Sequence, residues 1–172
     1  KNSSSMVYSF GNEQVNAEQY SALLYLSMSS YFTSIGLPGF ANWMYIQYQE
    51  EMTHANKFFN YINERGGRAK LKAIEQMPTD FDGVIDVFEK TKVHEEMVTS
   101  LINNLVDIAI EERDHACQSF LKWFVDEQVE EISNAEQLLH EIKMIGENKQ
   151  GIFMLDRELK ARPAVIPVIP AP

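Results

Sequence analysis

The chain has 172 residues, 45% of them hydrophobic and 23% charged, a balance that excludes global disorder. At this length it supports one domain burying roughly 70% of its unfolded surface. A formal net charge of −10 disfavours nucleic acid and anionic membranes as partners, because both attract basic surfaces. The one cysteine, Cys117, cannot form an internal disulfide. With no apolar run of spanning length and no signal-peptide pattern, the expected compartment is the cytoplasm.

Residues 1–11 read as a flexible leader. A first helix is expected from about Glu13 to Ile35, broken by Gly36-Leu37-Pro38-Gly39. A second runs from about Phe40 to Arg65 and ends at Gly66-Gly67. Residues 66–83 lack periodicity. A third helix covers about Val84–Glu111, and Asp114 is placed to cap a fourth over His115–Ile145. IFMLDRELKAR has the pattern of one more short helix, and the tail over 163–172 is too rich in proline to be helical. Short connections make the first and last helix pairs antiparallel hairpins. The 66–83 segment reaches about 60 Å when extended, against roughly 39 Å for the second helix, so it can cross the whole bundle. The expected fold is all-α: a four-helix bundle over 12–162 with one long crossover between helices two and three, plus a short C-terminal fifth helix.

The inward stripes of these helices contain residues that a core rejects. Helix two reads Phe40, Met44, Tyr48, Glu51, Ala55, Phe58, Ile62. Helix three has Glu95 among Phe88, Thr91, Val98 and Ile102, and helix four has Gln128 and Glu131 among Phe124, Ala135, Leu138 and Ile142. Helix one puts Glu18 and Tyr25 on one face with Ala22, Ser29 and Phe32. An unpaired buried carboxylate costs several kcal/mol or takes up a proton. Two divalent cations would balance Glu18, Glu51, Glu95 and Glu131, and His54, one turn after Glu51, supplies a nitrogen ligand. Mixed carboxylate and imidazole donors suit iron or manganese better than zinc.

Blander assignments cover the other candidates. A second Glu-x-x-His, Glu112 and His115, straddles a helix break and is expected at a solvated corner. His94 is expected to be exposed beside Glu95, and His140 to lie on an outer face. Tyr25 is either a core tyrosine with a satisfied hydroxyl or a redox-active neighbour of the metals.

NAEQYSALLYLSM, QYQEEMTHANKFFNYI, KVHEEMVTSLINNL and FLKWFVDEQVEEI together resemble the four helices of a bacterial non-haem ferritin, from about Asn12 to Arg162. The resemblance implies a ferroxidase centre with Glu18, Glu51 and His54 at one iron. Glu51 would bridge to a second iron held by Glu95 and Glu131, with Gln128 and Tyr25 alongside. It also implies a third iron site at Glu50, Glu127 and Glu130, and a hollow cage of 24 chains whose four-fold axis is lined by the fifth helix. The implied activity is oxidation of Fe(II) by dioxygen or hydrogen peroxide, with storage of Fe(III) mineral.

Several departures separate the chain from neighbouring families. The second Glu-x-x-His of bacterioferritins is absent, and no haem is expected although Met52 stands at the haem-ligand position. One cysteine cannot build the iron domain of a rubrerythrin. The positions matching the acidic three-fold pore of animal ferritins are Gln118 and Leu121. The alternatives are a di-iron oxidase or peroxidase that stores no iron, a metal-free structural subunit, and a DNA-protecting mini-ferritin, whose centre would lie between subunits.

Overall fold

The computed structural model describes residues 6–164, and among them every regular element is helical. The order is α1 (Met6–Ser34), α2 (Pro38–Glu64), α3 (Gly83–Glu111), α4 (His115–Ile145) and α5 (Lys149–Lys160). α1 packs along α2 and α3 along α4, the hairpins meet through α1 and α3, and α5 lies on α2 and α4. This is the expected bundle with its crossover and fifth helix.

Two boundaries differ from the sequence reading. α1 begins at Met6, inside the expected leader. Tertiary anchoring explains this: Val7 is buried in the same cluster as Phe58 and Ile62, and the Met6 amide donates to Glu112 Oε1 at 2.8 Å. Pro38, expected to interrupt, instead opens α2, where its missing N–H would have been unpaired anyway. Other caps follow expectation. Asp114 accepts from the Cys117 amide at 3.0 Å, and Gly66, at φ +82°, ends α2 in a conformation that a side chain would strain. Of the proline-rich tail, residues 165–172 lie outside the described residues.

The crossover between α2 and α3 has no regular structure, and α1 holds it. The Asn12 side chain accepts from the Lys70 amide at 2.7 Å, Asn16 donates to the Ala73 carbonyl at 3.2 Å, and Ser27 donates to the Pro78 carbonyl at 2.6 Å. These bonds satisfy backbone groups that would otherwise have only water. They also run along α1, so the segment spans the bundle's length.

The apolar core comes in two clusters. One contains Met28, Phe32, Phe40, Met44, Phe88 and Ile142. The other contains Phe58, Val98, Ile102, Leu105, Leu121 and Phe124. On all four long helices the inward glutamates fall between the stretches that feed the two clusters. A polar layer therefore crosses the middle of the bundle.

α5 docks by polar contacts as well as by buried Leu155. Asp156 Oδ1 accepts from the Phe40 amide at 2.9 Å, a carboxylate at the N-terminal turn of α2. Gly39 makes this approach possible, because a Cβ there would overlap the Asp156 carbonyl. Gly39→Ala is therefore expected to cost about 1–3 kcal/mol and to loosen α5. The check is hydrogen exchange: α5 amides should lose protection while the inner faces of α3 and α4 keep theirs.

Candidate metal centre

Four helices each deliver one carboxylate to the polar layer. Glu18, Glu51, Glu95 and Glu131 are all buried, as is His54. Glu51 and His54 share a face of α2 because they are one turn apart. His54 Nδ1 lies 3.3 Å from Glu51 Oε2 and 3.8 Å from Glu18 Oε2. Glu18 Oε2 and Glu51 Oε2 are also the two buried side-chain atoms, among the described residues, that have no hydrogen-bond partner. Native interiors rarely leave such atoms unpaired. Glu18, Glu51 and His54 bring their ligand atoms within 4.8 Å of one another and form the group, among the described residues, that could hold a metal ion.

Glu95 and Glu131 stand outside that group and are held by donors. The Tyr25 hydroxyl donates to Glu95 Oε1, and Gln128 Nε2 donates to Glu95 Oε2 at 3.1 Å. Gln47 Nε2 donates to Glu131 Oε2 at 2.9 Å, and Gln14 Nε2 to Glu18 Oε1 at 3.0 Å.

Without a cation the layer favours protons. Burial, and then the neighbouring Glu51 charge, push Glu18 well above the usual carboxylate range. Burial likewise raises Glu51 and Glu95. Burial and the Glu95 charge push Glu131 up to about 8. The Tyr25 hydroxyl is raised by burial and the adjacent carboxylates, so it stays a donor. Carboxylates that resist ionisation when bare, and face one another with unpaired oxygens, are what a divalent cation would stabilise.

A cavity of about 360 Å³ adjoins the layer, lined by Glu50, His54, Glu127, Glu130, Glu131 and Arg162 among others. It brings together the three residues of the expected third site. They converge on one space without closing into a ligand group like that of Glu18, Glu51 and His54. Glu50 is instead in contact with Arg162, at 3.4 Å. A larger cavity of about 980 Å³ lies between the α1–α2 turn and α5; it contains none of the inward glutamates and carries no comparable chemistry.

Residues 12–145 match the ferritin-like domain family. The chain is 48% identical over 151 residues to the bacterial non-heme ferritin of Bacteroides fragilis, covering 88% of this chain and 94% of that one. It is 38% identical to the bacterial non-heme ferritin of Campylobacter jejuni, over 87% of this chain and 89% of that one. Its structure superposes with a TM-score of 0.91 on the open pore ferritin of the archaeon Archaeoglobus fulgidus, at 48% identity, covering 93% of this chain and 99% of that one.

The chain belongs to the ferritin family.

Within this ferritin chain, one histidine departs from the sequence reading. His94 is buried, not exposed. Its Nε2 pairs with the Ser21 hydroxyl at 2.7 Å and its ring meets Tyr25 edge-on; burial lowers its pKa to about 4, which makes it a neutral wedge between α1 and α3. Glu112 and His115 do sit at the α3–α4 corner, the glutamate half-buried under the N-terminus of α1 and the histidine exposed. His140 is exposed, as expected. Leu121, matched to a pore-lining position, is buried in the core, and half-buried Gln118 donates to the Ala109 carbonyl at 3.4 Å. Tyr48 is half-buried at the edge of the first cluster.

Three residues that serve the layer were not singled out in the sequence: Gln14, Gln47 and Arg162. The glutamines carried a signal, since each precedes an inward glutamate by one turn. Arg162 carried none, because only the docking of α5 brings it to α2.

The raised Glu131 makes the stability of the metal-free ferritin depend on pH. A proton bound to folded Glu131 and absent from the unfolded chain stabilises the fold. That advantage is complete below the ordinary value of 4.5 and is lost as pH rises through about 8. Stability of the metal-free protein should therefore fall between these limits by about 1.4 kcal/mol per pH unit for each such proton. Glu131→Gln, neutral throughout, should reduce the slope by the share of one such proton. Melting temperatures of both proteins across this range make the comparison.

Proposed function

We propose that the chain is an iron-storage ferritin with ferroxidase activity. The observation that carries this reading is the pair of unpartnered carboxylate oxygens, Glu18 Oε2 and Glu51 Oε2, facing His54 inside an apolar bundle. In this reading iron is the substrate. Glu18, Glu51 and His54 bind one Fe(II); Glu51, Glu95 and Glu131 bind a second, with Gln128 orienting Glu95. Together the two give one electron each to dioxygen, so two Fe(II), one dioxygen and two protons yield two Fe(III) and one hydrogen peroxide. Peroxide can serve as the oxidant in place of dioxygen.

The chain's own groups do the rest. Four carboxylates neutralise the incoming charge and lose their protons on binding. Tyr25 keeps its proton and holds Glu95 by donating to it, which is the role that its raised pKa favours. Carboxylate ligation is labile, so Fe(III) can leave toward the adjoining cavity, where Glu50, Glu127 and Glu130 form a third iron site on the way to the mineral. No haem is involved.

The ferritin relatives support assembly into a hollow cage, and 24 chains is the stoichiometry we assign. Exposed Phe153 and Met154 on α5 favour contacts between chains, which large exposed apolar side chains commonly mark. Among the described residues no helix is long and apolar enough to cross a membrane, and the compartment we assign is the cytoplasm.

The test is Fe(II) oxidation in air, followed by absorbance at matched assembly. Glu51→Ala should slow the initial phase by roughly 100-fold or more, as expected when a bridging ligand is lost, whereas Glu130→Ala should leave that phase within about twofold and slow later turnover. Equal effects would count against the assignment. Oxidation without mineral accumulation, in a dimer, would make the chain a non-storing di-iron oxidase.

A further inference from the structure

Arg162 has no part in the proposed iron binding, yet among the described residues it is the one arginine against the polar layer. It follows α5, and its guanidinium lies over the Trp43 ring, 4.7 Å from the centroid. Nη1 donates to the Trp43 carbonyl at 3.0 Å. Nη2 donates to Gln47 Oε1 at 2.7 Å and lies 3.4 Å from both Glu50 carboxylate oxygens. The Arg162 carbonyl in turn accepts from Asn42 Nδ2 at 3.2 Å. The side chain is therefore fixed on α2 by a stacked ring, a carbonyl, an amide and a carboxylate.

Gln47, which is 2% exposed, has one end on Arg162 and the other on Glu131. A primary amide has an acceptor end and a donor end; a guanidinium only donates and an ionised carboxylate, the form that holds a metal, only accepts. Only one orientation of the amide satisfies both neighbours. Flipped, it would set N–H groups against the guanidinium and an oxygen against the carboxylate. The arginine and the carboxylate thus demand the same orientation, and the arginine anchors the acceptor end of Gln47 so that its donor end stays on Glu131.

Resting on the di-iron reading, we infer that Arg162 is a positioning residue for Glu131, acting through Gln47 to set the second metal position. It ties Glu131 Oε2 to an amide donor and leaves Oε1 for a cation. The same arginine links the docking of α5 to the readiness of the centre. A purely electrostatic role would have the opposite effect: a fixed positive charge repels cations, so removing it would tighten metal binding. A positioning role predicts weaker binding, and weaker only at the position that Glu131 serves.

The test is anaerobic titration of Co(II) into the metal-free, full-length assembled protein, followed by ligand-field absorption. Wild type should bind two equivalents per chain inside the bundle. Arg162→Gln should weaken the second by roughly 10–100-fold, the usual cost of losing a residue that orients a ligand, and leave the first unchanged. Arg162→Lys, which still donates to the Gln47 oxygen, should recover most of the affinity. Gln47→Leu should reproduce the loss, and adding Arg162→Gln to it should cost little more. If Arg162→Gln does not assemble, Arg162→Met, which keeps an apolar stem over Trp43 and loses the donors, takes its place with the same expected loss. Unchanged binding, tighter binding, or equal weakening of both equivalents would overturn the inference. Wild type that binds no Co(II) in the bundle would instead overturn the di-iron reading on which the inference rests.

Discussion

Four carboxylates from four helices meet inside an apolar bundle, and most other features of the molecule accommodate that concentration of charge. Each ionised group would cost several kcal/mol in isolation. The chain offsets the cost in two ways. Burial shifts the bare groups toward their protonated forms, with Glu18, Glu51, Glu95 and Glu131 all raised. Donors are also aimed at individual oxygens from Gln14, Tyr25, Gln47 and Gln128. Two oxygens, Glu18 Oε2 and Glu51 Oε2, have no donor, and they face His54. Such a layer is suited to cations, which could take the place of the protons.

The position of the layer matters as much as its composition. It separates two aromatic-rich clusters, so the glutamates are anchored from both ends of the bundle by side chains such as Phe40 and Phe88 on one side and Phe58 and Phe124 on the other. Rigid helices set the ligands more reproducibly than loops would. The opening toward Glu50, Glu127 and Glu130 gives the buried layer one polar exit. Arg162 stands at that exit, held by α2, and ties the terminal segment to the interior.

Much of this was legible in the sequence, for a physical reason. Glutamates inside an otherwise apolar helical stripe break the period that packing demands, so Glu18, Glu51, Glu95 and Glu131 announce themselves. The 66–83 segment could be read as a crossover from its length alone. What escaped depends on contacts between elements distant in sequence. His94 looked solvent-facing because it adjoins an inward glutamate, but Ser21 on α1 gives its nitrogen a partner and permits burial. Met6 to Gly11 looked like a leader because nothing local favours a helix there; the partners that fix it are Ile62 and Glu112. Arg162 sits at the end of a short helix whose docking site, made by Gly39 and Phe40, cannot be read from periodicity.

In the di-iron reading, cations neutralise the layer from inside the bundle. Crystals soaked in Fe(II) without oxygen, with anomalous diffraction recorded at the iron edge, test it directly. Two peaks are expected in each chain, one touching Glu18, Glu51 and His54 and the other touching Glu51, Glu95 and Glu131. Peaks confined to surface carboxylates, with the four inward glutamates still bound only to their amide and phenol donors, would contradict it.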